Sequence, residues 1–224
     1  MNALVLASGG LDSTAALVYA VQSYGRECTT GLFVYYGQPA ADREIRSVIA
    51  ACKALAVPFV RCDLQSVFHG STTGLFIPRE SAIVGGRDTA FLPGRNAMLL
   101  AAAATCGGIR WEPNPYSVLV GCNAHDAAGF PDCRLPFLTA AEDAFRAGGA
   151  NLNVVAPWLT KTKRQIVDYV RAEAPEHLDL LRASWSCYRP DGPCGACTAC
   201  MARVGAFEGD GADPLPDRGV KRGV

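Results

Sequence analysis

Two stretches of the chain carry residue types at spacings that do chemistry. The first is Ser8-Gly9-Gly10-Leu11-Asp12-Ser13. It follows a short apolar run, Ala3–Ala7, and precedes apolar residues at helical spacing, Ala15, Leu17, Val18, Ala20 and Val21. That pattern predicts a buried strand entering a glycine turn that opens a helix. Consecutive glycines let backbone N–H groups converge, and the helix N-terminus adds partial positive charge. With the hydroxyls of Ser8 and Ser13, the segment Ala7, Ser8, Gly9, Gly10, Leu11, Asp12, Ser13 and Thr14 is a candidate phosphate cradle for ATP. Asp12 has two readings here, a Mg²⁺ ligand or a helix cap. The loop is not a Walker A motif, because no lysine precedes Lys53, and it lacks the G-x-G-x-x-G of a dinucleotide site.

The second stretch is Cys187-x6-Cys194-x2-Cys197-x2-Cys200. Four thiolates on a short segment suit tetrahedral zinc in a closed, structural site. An iron–sulfur cluster uses similar spacings and competes with that reading. The other six of the ten cysteines are scattered and read as small buried hydrophobes. No secretory signal precedes the first strand, so a disulfide framework is not expected and the cytoplasm is the expected location.

The elements that must position these residues follow in order. A length of 224 residues, half of them apolar, suits one domain with a small addition. With 21 basic and 21 acidic side chains, nothing draws the chain generally to nucleic acid. No apolar stretch is long enough for a bilayer, so no membrane partner is expected. Strands are expected at Leu32–Tyr36, Pro58–Cys62, Ser117–Gly121 and Leu152–Ala156, and helices at Ala40–Leu55, Ala97–Cys106, Pro136–Ala147 and from Thr160 to about Ala172. Alternation at this spacing predicts an α/β fold, a doubly wound parallel sheet with right-handed crossovers. Its ligand edge is the carboxyl end of the strands. The polar segment Gly121–Arg134 should share that edge with the glycine turn. Ser66–Gly94 reads as a substrate-covering loop, and the divisions expected are 1–183 for the ATP-binding domain, 184–207 for the cysteine segment and 208–224 for a mobile tail.

Several side chains suit an adenylation site on their own terms. Arg95 and Lys161 are candidate catalytic cations beside Asp12 and Ser13, by charge and by position after loops. Asn123, Asp126 and Asp132 offer edge hydrogen bonds to a flat heterocycle, and Phe130 offers stacking.

S-G-G-x-D-S resembles the pyrophosphate loop of the ATP pyrophosphatase superfamily. The wider set resembles the 7-cyano-7-deazaguanine synthase family, QueC, over nearly the whole length. That set comprises Ser8–Ser13, Tyr36-Gly37-Gln38, Phe91–Asn96, Gly121–Arg134, Pro157 with Thr160 and Lys161, Ser186-Cys187-Tyr188 and Pro193–Cys200. The resemblance implies an adenine nucleotide alpha hydrolase-like fold with a zinc-bound C-terminal segment, commonly as a homodimer. It implies that 7-carboxy-7-deazaguanine, ATP and ammonia become the nitrile through an adenylated carboxylate and an amide. It also implies substrate contacts from Tyr36, Gln38, Arg95, Asn96 and Arg134, joining Asn123, Asp126, Phe130 and Asp132. Departures from the family pattern are Tyr35 for Asp, Pro39-Ala40 for Arg-His, Ala128 for Ser and Phe130 for Tyr. They bear on the second half of the reaction. A paralogue of the antiviral-defence type, passing the acyl group to a protein amine, is the alternative. A non-catalytic nucleotide-binding module ranks behind both.

Overall fold

The computed structural model describes residues 1–68, 83–84, 87–88, 91–210 and 215. Most of the expected covering loop, residues 69–82, 85–86 and 89–90, lies outside them, as do residues 211–214 and 216–224 of the expected tail.

The described residues form the strands β1 (Asn2–Leu6), β2 (Thr29–Tyr35), β3 (Phe59–Asp63), β4 (Ile83–Val84), β5 (Arg87–Asp88), β6 (Tyr116–Leu119) and β7 (Leu152–Val155). They also form the α-helices α1 (Leu11–Tyr24), α2 (Ala41–Leu55), α3 (Arg95–Trp111), α4 (Ala124–Gly129), α5 (Leu135–Ala147), α6 (Lys163–Glu173), α7 (Leu178–Ala183) and α8 (Thr198–Ala206). The main sheet has the order β3-β2-β1-β6-β7, and every neighbour pair is parallel. β4 and β5 form a separate antiparallel pair.

Both faces of the sheet are covered, so the central strands are apolar throughout rather than alternating. Successive side chains still point to opposite faces. Ala3 and Val5 of β1, with Phe33 of β2 and Leu119 of β6, face one core shared with α1, α2 and α6. Leu4, Leu32, Val34, Val118 and Leu152 face the other, under α3 and α5. Close packing depends on two glycines without a Cβ. At Gly31 in β2 a Cβ would lie 2.6 Å from Cys52 Sγ of α2. At Gly107 in α3 it would lie 2.2 Å from the Tyr116 ring, whose hydroxyl donates to the Ala104 carbonyl at 2.7 Å.

Several boundaries differ from expectation. α1 begins at Leu11, ahead of the apolar run from Ala15, so half of the glycine-turn motif is already helix. α6 begins at Lys163 rather than Thr160, because Thr162 caps it. A short helix, α4, occupies the segment expected to be a polar loop. The cysteine segment packs against the phosphate turn and α7. Trp185 N donates to the Gly9 carbonyl at 2.8 Å, and Arg203 of α8 is 1% exposed. Arg203 donates to Ser184 Oγ at 2.8 Å and to the Leu181 carbonyl at 3.0 Å, pinning α8 to the end of α7. Of the expected tail, Asp210 pairs with Arg171 at 2.6 Å and Leu215 is 3% exposed. Among the described residues no helix is long and apolar enough to cross a membrane.

Candidate active site

Strand order reverses between β1 and β6, the two central neighbours. In an open α/β sheet that reversal leaves a crevice beyond the strands' carboxyl ends. A cleft of ≈ 270 Å³ lies there, just below the usual range for small-molecule sites. The Ser8–Ser13 turn leaves β1 into one wall. Gly121 follows β6 so closely that a Cβ would lie 3.0 Å from Ser13 N.

The turn is held by its own hydroxyls. Ser8 N donates to Ser13 Oγ at 3.2 Å, the two hydroxyls meet at 3.1 Å, and Ser13 Oγ donates to the Gly10 carbonyl at 3.1 Å. The two glycines serve different ends. Gly9 has φ +76°, and a Cβ there would lie 2.4 Å from the Glu44 carbonyl. Gly10 has an ordinary φ of −77° and stands at the head of α1 with no side-chain cap. The free N-terminal N–H groups of α1 therefore face the cleft with their partial charge.

Asp12 does not cap the helix. Its Oδ2 is paired with Lys163 Nζ and accepts from Asn123 Nδ2 at 3.2 Å, with both ion-pair side chains 15% exposed. Its carbonyl accepts from the buried Trp158 indole at 3.1 Å. Its Oδ1 is buried without a partner among the described residues. Burial acts to lower the Lys163 pKa, but Asp12 and Asp126 outweigh it and hold the ammonium above its ordinary value.

Of the segment Ala7–Thr14, all but Gly9 and Thr14 line the cleft. Gly9 is turned against α2, and Thr14 is buried in the first turn of α1, 2% exposed. Of the expected substrate residues, Tyr36, Gln38, Arg95, Asn96, Asp126 and Phe130 line it. Burial pushes the Asp126 carboxyl up, with Lys163 acting against and Asp12 adding to the rise. Phe130 stacks on Phe91 with centroids 6.2 Å apart. Burial likewise raises the Tyr36 hydroxyl, although the adjacent Arg95 opposes it. Tyr36, Tyr188, Asp132 and Cys133 together hold the Arg95 guanidinium above its ordinary pKa despite its burial.

Three expected substrate residues are engaged elsewhere. Asn123 is fully buried and caps α4, its Oδ1 accepting from His125 N and Asp126 N at 2.8 and 3.1 Å. Arg134 folds back onto the carbonyls of Ala127 and Ala128 at 2.9 and 3.2 Å. Asp132 lies behind the wall, where its carbonyl accepts from Asn96 Nδ2 at 3.1 Å. The cation of the α6 turn is Lys163, not Lys161, which does not line the cleft. The capping box Thr162…Gln165 carried the missed signal: it starts the helix at Lys163 and directs that side chain back past the N-terminus. Glu44 and Trp185 also line the cleft and were not singled out from sequence, and Tyr188 of the Ser186-Cys187-Tyr188 motif joins them.

Beside the cleft, the sulfurs of Cys187, Cys194, Cys197 and Cys200 lie within 4.8 Å of one another. Thiolates at ~2.3 Å from a tetrahedral zinc stand about 3.8 Å apart, so the cluster fits that ion after slight contraction. Backbone N–H groups of Cys194, Cys197 and Cys200 donate to Cys187, Cys194 and Cys197 sulfurs at 3.3–3.4 Å. Such donors stabilise thiolate charge, as a metal site requires.

Residues 2–211 match the protein family described as "Queuosine biosynthesis protein QueC". The chain is 35% identical to a 7-cyano-7-deazaguanine synthase of Koribacter versatilis, over 96% of this chain and 92% of that protein. It is 34% identical to the proteins of the same name from Haloarcula marismortui and Kineococcus radiotolerans. Those matches cover 96% and 97% of this chain and 94% and 98% of theirs. Among solved structures, NMN synthetase from Francisella tularensis is similar with a TM-score of 0.42 and 14% identity, over 80% of this chain and 62% of that one.

Proposed function

The chain belongs to the family of the queuosine biosynthesis protein QueC, and we propose that it converts 7-carboxy-7-deazaguanine, ATP and ammonia to 7-cyano-7-deazaguanine. The relatives' shared name supports the product. One observation supports a nucleotide and an anionic substrate in this cleft. Among the described residues four buried side-chain atoms lack a partner, and two of them belong to its wall: Asp12 Oδ1 and Arg95 Nε. A buried polar atom left unpaired costs about 1–3 kcal/mol, so ligand atoms are the expected partners.

In this reading a substrate carboxylate oxygen attacks the α-phosphorus of ATP and pyrophosphate leaves. The N–H groups at the head of α1, the Ser8 and Ser13 hydroxyls and Lys163 stabilise the departing charge. Asp12, with one carboxylate oxygen unpartnered, fits a Mg²⁺ ligand. Held there, Mg²⁺ would supply positive charge to phosphate oxygens. Arg95, Asn96, Tyr36 and Asp126 read the edge of the deazapurine, and Phe130 contributes an aromatic face. Zinc held by the four cysteines has a structural part: it fixes the segment that carries Trp185, Ser186 and Tyr188 into the wall.

The conjugating alternative drew on Tyr35, Pro39 and Ala40, and none of the three lines the cleft. Ala40 packs with Trp185, Cys187, Cys200 and Leu215. Tyr35 lies under Arg61, 5.1 Å from its ring centroid. As they stand these three residues form no part of the cleft wall, and the intact wall favours nitrile formation. Mass spectrometry of products from enzyme, acid, ATP and ammonium tests it. Nitrile as the main product is expected. Acid or amide with pyrophosphate release, at every ammonium level, refutes it.

A further inference from the structure

Three carboxylates line the cleft among the described residues: Asp12, Glu44 and Asp126. Two already serve the framework of the site. Through Oδ2 Asp12 holds Lys163 and Asn123, leaving the Oδ1 assigned above to Mg²⁺, and Asp126 closes the capping box by accepting from Asn123 N at 3.2 Å. Glu44 is placed differently. It belongs to the first turn of α2, and its own carbonyl abuts Gly9 of the phosphate turn. Gln38, the one hydrogen-bond partner of its carboxylate among the described residues, donates to Oε2 at 3.0 Å. Gln38 is fixed in turn: it donates to the Val34 carbonyl at 3.3 Å and accepts from Tyr36 N at 2.9 Å. A carboxylate is thus held beside the phosphate turn with one oxygen uncommitted.

We propose that Glu44 is the proton acceptor for nitrogen attack on the activated acid, with Gln38 as its positioning residue. The inference rests on the acyl-adenylate reading above. Adenylation itself moves no proton, since an ionised carboxylate attacks phosphorus and pyrophosphate departs. Amidation does. The ammonia lone pair forms the C–N bond and the C–O bond to phosphate breaks, its electron pair leaving on AMP. One proton must leave nitrogen, and it passes to the Glu44 carboxylate and then to solvent. Burial raises this carboxyl to about 7, with Gln38 and Arg95 opposing the rise. That value is near the optimum for a base working at neutral pH. The charged and titratable groups facing Glu44 are Arg95 of α3 and Tyr36 after β2, and Tyr188 stands against Arg95.

The experiment compares two steps in wild type, Glu44→Gln and Glu44→Asp. One is acid-dependent ATP–pyrophosphate exchange; the other is single-turnover amide formation with ammonium across pH 5.5–9, a range of about 1.5–2 units around the proposed base. In Glu44→Gln, amide formation is expected to fall ~10²-fold or more, far beyond any fall in exchange. Glu44→Asp, which keeps a carboxylate, recovers part of the rate. Gln38→Leu removes the bond that lowers the Glu44 pKa and shifts the acid limb of amide formation to higher pH. Equal losses in both steps, or unimpaired amide formation in Glu44→Gln, overturns the assignment. Wild-type enzyme without acid-dependent exchange overturns the acyl-adenylate reading beneath it.

Discussion

Replacing Glu44 with glutamine should stabilise the protein in alkali while impairing it as an enzyme. Glutamine has the shape of glutamate, and its carbonyl oxygen can accept the Gln38 bond that Oε2 accepts at 3.0 Å. The substitution therefore isolates the charge. In the folded protein, burial lifts this carboxyl from 4.5 to about 7. Between those values the native state keeps a proton that the unfolded chain has lost, so stability falls as pH rises. A shift of that size corresponds to ~3 kcal/mol, an upper bound for a side chain that opens onto a cleft. The two proteins should be equally stable near pH 4.5. By pH 8 the glutamine variant should be the more stable by ~1–3 kcal/mol. Urea unfolding of both proteins at several pH values measures this, and the wild-type minus variant difference cancels groups common to both, including Asp126 and the cysteines. Parallel pH profiles would refute the buried-carboxylate argument. A variant less stable than wild type above pH 7 would refute it more strongly, since it would show that Arg95 favours the charged form by more than burial opposes it.

Gly9→Ala should disrupt the turn, because its Cβ would lie 2.4 Å from the Glu44 carbonyl at φ +76°, whereas Gly10→Ala should fold. Circular dichroism with ATP–pyrophosphate exchange separates the two cases. Lys163→Met leaves the Asp12 carboxylate, 15% exposed, without its cation. It should cost ~1–3 kcal/mol in urea unfolding and about 10²-fold or more in exchange, with Lys161→Met much milder. Cys197→Ser should lose one equivalent of zinc and lower the melting temperature together, as metal analysis beside thermal unfolding would show. Because Trp185, Ser186 and Tyr188 form cleft wall, that variant should also raise the KM for the acid.

What the sequence determined by itself was local. The Ser8–Ser13 turn and the four cysteine positions were legible because chain connectivity alone sets the distances within them. The parallel sheet was legible because buried strands and amphipathic helices alternate at the spacing that crossovers require. Which charged side chains reach the cleft was decided by tertiary structure. Lys161 and Lys163 differ by two residues, and the Thr162 cap selects between them. Asn123 and Arg134 have the right chemistry for a ligand, but backbone groups exposed by α4 claim them first. Glu44 and Trp185 carry no motif. They reach the cleft only because α2 presses against Gly9 and the cysteine segment folds back onto the same turn. Contacts between residues more than a hundred positions apart, such as Asp12 with Lys163, depend on strand order and helix packing. No local spacing encodes them.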